Sequence, residues 1–318
     1  AAISTVLLEF LKPGDVLLYS SPVYGGTDHF INDFLNKIGV HTISFTPNDS
    51  KEDILKRLKN SGLANKLSMI FIETPANPTN ALIDIEMCKS IADLYSTMDT
   101  KVHLAVDNTY MGPLWQHPLE HGADSVLYSA TKYIGGHSDV IAGACCGSNE
   151  VISRIKVLRT FLGNMAAPHT GWLLMRSLET LKIRMEQQAR NAQEVAAYLD
   201  GHKKVEKVYY LGLIKENTKE YEIYQKQYDS PGAMLSFDIV GGEKEAFKFI
   251  DSLKLIKLAV SLGGTESLVE HPATMTHAGV EPNHRKELSI TEKLVRISVG
   301  VENYEDLIWD INQALEKV

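Results

Sequence analysis

The sequence predicts an α/β protein, with a mostly parallel sheet flanked by helices and then a smaller C-terminal α+β unit. Three observations carry this. Short apolar runs alternate with amphipathic helical stretches over the first half of the chain, the pattern of crossover connections between parallel strands. A long periodic helix then ends that alternation, and the elements beyond it follow a different rhythm. At 318 residues the chain also exceeds what one core usually accommodates. Two domains are therefore expected, residues 1–182 and 183–318, with no Pro/Gly/Ser linker, low-complexity tract or internal repeat between them.

Taken in order, residues 1–11 read as an amphipathic helix with no N-cap residue. A strand at 16–20 leads to a helix at 26–38, a strand at 40–46 to a helix at 51–59, and a strand at 67–73 to a helix at 85–95. Strands at 102–107 and 126–128 follow, the second leading into a polar glycine turn and an apolar run from Val140. The long helix spans 171–199. In the C-terminal unit the expected strands are 205–209, 233–239, 257–261 and 295–299, with helices at 243–253 and 304–316.

Charge and composition narrow the function. A formal net charge of -8 without a basic run argues against a nucleic-acid partner. No apolar stretch approaches the roughly twenty residues of a membrane span, and no signal peptide is visible. Cys145 and Cys146 are adjacent on an expected strand and Cys88 lies on a helix, so neither a disulfide framework nor a zinc spacing follows, and a reducing cytoplasm fits best. Paired glycines occur at Gly25-Gly26, Gly135-Gly136, Gly241-Gly242 and Gly263-Gly264, but none forms a dinucleotide fingerprint or a P-loop. His137 and Asp139 offer two ligands in a turn, too few for a metal site, while His271 and His277 read as hydrogen-bonded loop residues.

Chemistry concentrates at Ser125-Val-Leu-Tyr-Ser-Ala-Thr-Lys132-Tyr-Ile-Gly-Gly-His-Ser-Asp139. A strand end delivers Lys132 between Ser129, Thr131 and the glycines 135 and 136. A lysine closed in this way loses hydration, its pKa falls, and its amine can form a Schiff base. Two hydroxyls on the same turn suit an anion such as phosphate. Upstream, the apolar strand Val102-His-Leu-Ala-Val-Asp107 ends on a carboxylate, which once buried needs a cation. The protonated ring nitrogen of pyridoxal 5'-phosphate is such a cation, and an Asp on that nitrogen with a Lys on the aldehyde is the pairing this cofactor uses.

Four further residues fit. Tyr24, just past the first strand, can stack on a cofactor ring and move a proton. Asn77, between Pro75 and Pro78, is held in a rigid turn where its amide can meet a cofactor oxygen or a substrate carboxylate. Arg296 falls inside a strand, where its planar fork either grips a substrate carboxylate or pairs with an internal acid. Ser261 is expected at a strand end, before glycines that permit close backbone approach.

With these residues assembled, the chain resembles the pyridoxal-phosphate enzymes of cysteine and methionine metabolism. That trans-sulfuration group includes cystathionine gamma-synthase, the cystathionine beta- and gamma-lyases, methionine gamma-lyase and O-acetylhomoserine sulfhydrylase. The resemblance runs the length of the chain and is carried above all by Ser-Ala-Thr-Lys132-Tyr with Gly-His-Ser-Asp139 after it. It implies a fold-type I, aminotransferase-like subunit with a seven-stranded sheet, active as a homotetramer built from dimers with active sites at the subunit interface. It makes Lys132 the Schiff-base lysine and proton shuttle, Asp107 the partner of the ring nitrogen, Ser129 and Thr131 phosphate ligands, and Tyr24 the stacking aromatic. Asn77, Ser261 and Arg296 would hold cofactor oxygen and substrate. Members normally carry an N-terminal arm with a Tyr-x-Arg pair and a Ser-Gly-Met strand end, and the chain starts where the latter would finish, which is expected to reflect trimming rather than a truncated protein.

The implied reaction is elimination of a beta or gamma sulfur substituent to a keto acid, ammonia and a thiol. The alternatives are gamma-replacement and a cofactor-binding paralogue without turnover. Two positions pull apart on substrate: Val260 is apolar, as in methionine gamma-lyases, whereas Gly26 stands where those enzymes carry a cysteine.

Overall fold

The computed structural model describes residues 1–280 and 282–318. Helix α1 (Ala2–Phe10) precedes strand β1 (Val16–Ser20). Helix α2 (Gly25–His29) then widens into a π-helical segment, Phe30–Leu35, rather than running on as one α-helix. Next come β2 (His41–Phe45), α3 (Lys51–Asn60), β3 (Leu67–Glu73), α4 (Ile85–Tyr95), β4 (His103–Asp107), the short α5 (Gly112–Trp115), β5 (Ser125–Ser129) and β6 (Gly143–Gly147). Helix α3 starts where Ser50 and Asp53 form a reciprocal capping box, and α4 where the Asp84 carboxylate accepts from the Met87 amide.

These strands form one sheet in the order β2-β1-β3-β4-β5-β6, parallel except for β6. Six strands stand among the described residues where the resemblance implies seven. Alternation along each strand loads both faces: Val16, Leu18, Ile70, Ile72, Leu104 and Val106 enter one core. Leu17, Tyr19, Met69, Phe71 and Ala105 enter another. Each buried Val, Leu, Ile, Met or Phe among them contributes about 1.5–3 kcal/mol, so sandwiching by helices is what lets these strands be apolar throughout.

Beyond the sheet comes α6 (Asn149–Leu162), not foreseen, and the expected single helix at 171–199 is replaced by two, α7 (Pro168–Leu178) and α8 (Leu181–Leu199). The C-terminal elements are β7 (Val205–Tyr209), α9 (Lys219–Gln227), β8 (Met234–Ile239), α10 (Glu243–Ser252), β9 (Lys257–Leu258), β10 (Leu268–Glu270), α11 (Pro282–Glu287), β11 (Leu294–Ser298) and α12 (Tyr304–Leu315). They build a second sheet, β7-β8-β11-β10-β9, antiparallel except between β9 and β10. Its core, with Leu235, Phe237, Val295 and Ile297, continues through Met185 of α8 to Tyr133 and Trp115, so the two sheets share apolar packing behind the lysine turn.

The parallel strands β1, β3, β4 and β5 point their carboxyl ends to one edge of the first sheet. Strand order reverses between β1 and β3, and ligands of open α/β sheets bind in the crevice outside such a reversal.

Candidate active site

At that edge lies a cavity of about 480 Å³ lined by Tyr24, Asn77, Asp107, Ser129, Thr131, Lys132 and Arg296, together with Glu73, Tyr110 and Val260. Seven of the eight residues singled out from sequence therefore face one space. The eighth, Ser261, stands beside it and accepts a hydrogen bond from Lys132 Nζ at 3.1 Å. Ser261 does not end a strand, because β9 stops at Leu258 and the intervening residues turn toward Gly263.

Lys132 follows β5 by three residues and is drawn inward by the turn, with Gly136 N donating to Lys132 O at 2.7 Å. Burial lowers its pKa, the positive charge of Arg296 lowers it further, and Glu270 opposes them. Asp107 closes β4 and is buried; desolvation raises its pKa against two hydrogen bonds from Thr109, whose amide and hydroxyl reach Oδ1 at 3.0 and 2.6 Å. Thr109 Oγ1 also accepts the Ser129 amide at 2.8 Å, which ties the acid's loop to the strand that leads into the lysine.

The two hydroxyls differ. Thr131 Oγ1 donates to Ala142 O at 3.2 Å and accepts from Ala142 N at 3.0 Å, so its proton is committed to the backbone. Of the two, the Ser129 hydroxyl would be the better phosphate donor. Tyr24 is half-exposed, and its ring lies over Gly26, where an added Cβ would come within 2.7 Å of Cε1. Only a residue without a side chain leaves that ring pose undisturbed.

Arg296 is 2% exposed and lies directly opposite Glu270 in the β10–β11 register. Its Nη1 sits 2.7 Å from Glu270 Oε1 and donates to Asn77 Oδ1 at 3.1 Å, while Nη2 donates to Ser261 O at 2.9 Å. The internal acid is thus present, both terminal nitrogens are engaged, and Nε alone has no partner among the described residues.

Sequence reasoning missed three contributors. Glu73 accepts the amides of Tyr24 at 2.6 Å and Asn77 at 3.1 Å, joining the two loops that border the strand-order reversal. An acid ending an apolar strand was the available signal, the same one that marks Asp107. Tyr110 donates to Asn77 Oδ1 at 2.6 Å. Glu270 escaped because the three-residue β10 is too short to show a period. His277, expected as a hydrogen-bonded loop residue, shares a hydrogen bond of 3.0 Å with the Thr276 hydroxyl, and its pKa is pushed down to about 4 by burial and then by Arg296.

A lysine whose charged form is disfavoured by burial and a buried acid with no ion-pair partner among the described residues are complementary to the two ends of a pyridoxal ring. The fold and site therefore define a class, the pyridoxal-phosphate-dependent α/β enzymes. Within it, the chain belongs to the Cys/Met metabolism PLP-dependent enzyme family, whose model matches residues 1–316. It is 40% identical to an L-methionine gamma-lyase of Fusobacterium nucleatum subsp. nucleatum, over 100% of this chain and 78% of that protein. It is also 40% identical to a cystathionine gamma-lyase of Bacillus subtilis, over 100% of this chain and 80% of that one. A crystal structure of cystathionine gamma synthase from Xanthomonas oryzae pv. oryzae, in complex with aminoacrylate and cysteine, superposes with a TM-score of 0.91 at 35% identity, covering 99% of this chain and 79% of that one.

The residues present fit the cofactor: the amine, the buried acid and the uncommitted Ser129 hydroxyl all border one cavity. Lys132 would hold its aldehyde carbon, Asp107 its ring nitrogen and Ser129 its phosphate.

Proposed function

We propose that the protein eliminates the sulfur substituent from a sulfur amino acid such as cystathionine or methionine, releasing a keto acid, ammonia and a thiol. The observation that supports this most is the shared cavity of Lys132 and Asp107, with Arg296 at its wall. Pyridoxal phosphate, when bound, supplies the electron sink for bond breaking beside the amino-bearing carbon. Asp107 would hold the cofactor's ring nitrogen in its protonated form. Lys132 Nζ takes the proton from the substrate's α-carbon, its neutral, proton-accepting form favoured by burial and its position fixed by Ser261. Tyr24 moves a second proton at the cavity mouth, and Arg296 with Asn77 holds the α-carboxylate.

Gamma-replacement is the second reading, favoured by the likeness to a synthase structure. Keto acid and thiol release, measured on a panel of L-cystathionine, L-methionine and O-acyl-homoserines with and without added cysteine, separates the two. Keto acid from a single substrate is expected, and none from Lys132→Ala. Product only when a thiol is added would make the protein a transferase, and no turnover on any substrate would leave a cofactor-binding paralogue.

The same reading makes the protein a cytoplasmic homotetramer, a dimer of dimers with active sites at the subunit interface. Three free cysteines suit a reducing compartment. The boundary between residues 1–182 and 183–318 would then fall in the first turn of α8.

A further inference from the structure

Glu270 enters the account above only as a charge acting on Lys132 and as the partner of Arg296, and it is fully buried behind the substrate-facing arginine. Arg296 and Thr276 line the cavity. Glu270 stands behind them, with Oε1 at 2.7 Å from Arg296 Nη1 and accepting the Thr276 hydroxyl at 3.0 Å. Acceptors from three separate segments thus hold the guanidinium: Glu270, Asn77 Oδ1 and Ser261 O. Of these only Glu270 is charged. What they leave over is Arg296 Nε, buried and without a partner among the described residues. A buried guanidinium nitrogen without an acceptor is costly, and an incoming carboxylate would relieve that cost.

Resting on the reading of Arg296 as the carboxylate-holding residue, we propose that Glu270 is its positioning residue. By holding Nη1 it fixes the guanidinium plane, so that the Nε–H is kept for the α-carboxylate of the amino acid substrate. An acceptor at that point is what matters, since Nη1 needs a partner whether or not a second negative charge lies nearby.

The role predicts a split between KM and kcat, because a lost uniform binding interaction raises KM alone. In holoenzyme, Glu270→Ala should raise KM about tenfold or more. Its kcat should stay within about threefold, with the visible absorbance of the lysine-linked cofactor unchanged. Glu270→Gln, which keeps the acceptor, should restore KM to within about threefold of the parent. Should Glu270→Ala not fold, Glu270→Asp withdraws the acceptor by one methylene and should raise KM by itself. Unchanged KM in Glu270→Ala or Glu270→Asp holoenzyme would overturn the proposal. So would a joint fall of kcat and cofactor absorbance that Glu270→Gln does not rescue, the mark of a purely structural role. Parent turnover and absorbance report separately on the proposed lyase activity, so its failure would not be confused with that of Glu270.

Discussion

Glu73 and Asp107 lie opposite one another in the β3–β4 register, two buried acids at neighbouring strand ends. Desolvation, then the charge of Asp107, pushes the Glu73 carboxyl up to about 8, although the amides of Tyr24 and Asn77 pull the other way. The folded protein therefore holds a proton there that the unfolded chain has lost. Raising the pH from the ordinary carboxylate range through about 8 must remove stability from the cofactor-free protein. The loss should be of the order of a few kcal/mol at most, because relaxation and water penetration soften such penalties. Melting temperatures of the cofactor-free protein across pH 5 to 9 should fall, and Glu73→Gln should flatten that fall. An equal slope in the two proteins would mean that another group is responsible. Glu73→Gln also places an amide hydrogen against one of two backbone donors, so Tyr24 or Asn77 should lose its tether and turnover should drop.

At the scale of elements, the lysine turn is a place where three chain segments meet with no room for side chains. Gly136 has φ +69°, and a Cβ there would fall 2.0 Å from Arg184 Nη1, which donates to Tyr133 O. Gly263 has φ +74°, and its Cβ would lie 2.9 Å from Tyr133 N. Gly263→Ala should therefore cost at least about 1–2 kcal/mol for the left-handed backbone alone. It should also push Ser261 away from Lys132. Thermal unfolding and turnover should both suffer, whereas Gly201→Ala, where nothing lies within 4 Å, should leave both near the parent value. Equal behaviour of the two variants would show that the turn has slack.

The glycine pairs were visible in the sequence, but the segments they bring together were not. Gly136 meets Arg184 and Gly263 meets Tyr133 only after both sheets have formed. Residues 171–199 carry a continuous helical period with no proline or glycine at Glu179 or Thr180, so the break between α7 and α8 left no local trace. Strand ends, in contrast, were legible as apolar runs ending on a polar group, which is why Asp107 and the Lys132 turn could be read directly.

At the scale of the whole molecule, the helices least legible in the sequence are those whose apolar residues face outward. In α6 only Ile155 is buried, while Val157, Phe161 and Leu162 are exposed, so no single apolar stripe marks the helix. Trp172 and Met175 on α7 and Ile183 at the start of α8 continue the pattern, with Met175 and Ile183 each 69% exposed. Large apolar side chains gathered on consecutive helices are rarely left in water and mark association surfaces. In the proposed homotetramer this face would be covered by another copy, at a cost in solubility to any isolated subunit. Sedimentation of the parent protein should give a tetramer at micromolar concentration. Phe161→Glu combined with Met175→Glu, which puts two charges on that face of each subunit, should give a smaller species, because an unpaired charge in a desolvated interface costs several kcal/mol. Since neither side chain lines the cavity, binding of pyridoxal phosphate by the smaller species would then report whether a subunit completes its own site. A parent protein that sediments as a monomer, or a double variant that remains tetrameric, would move the interface elsewhere.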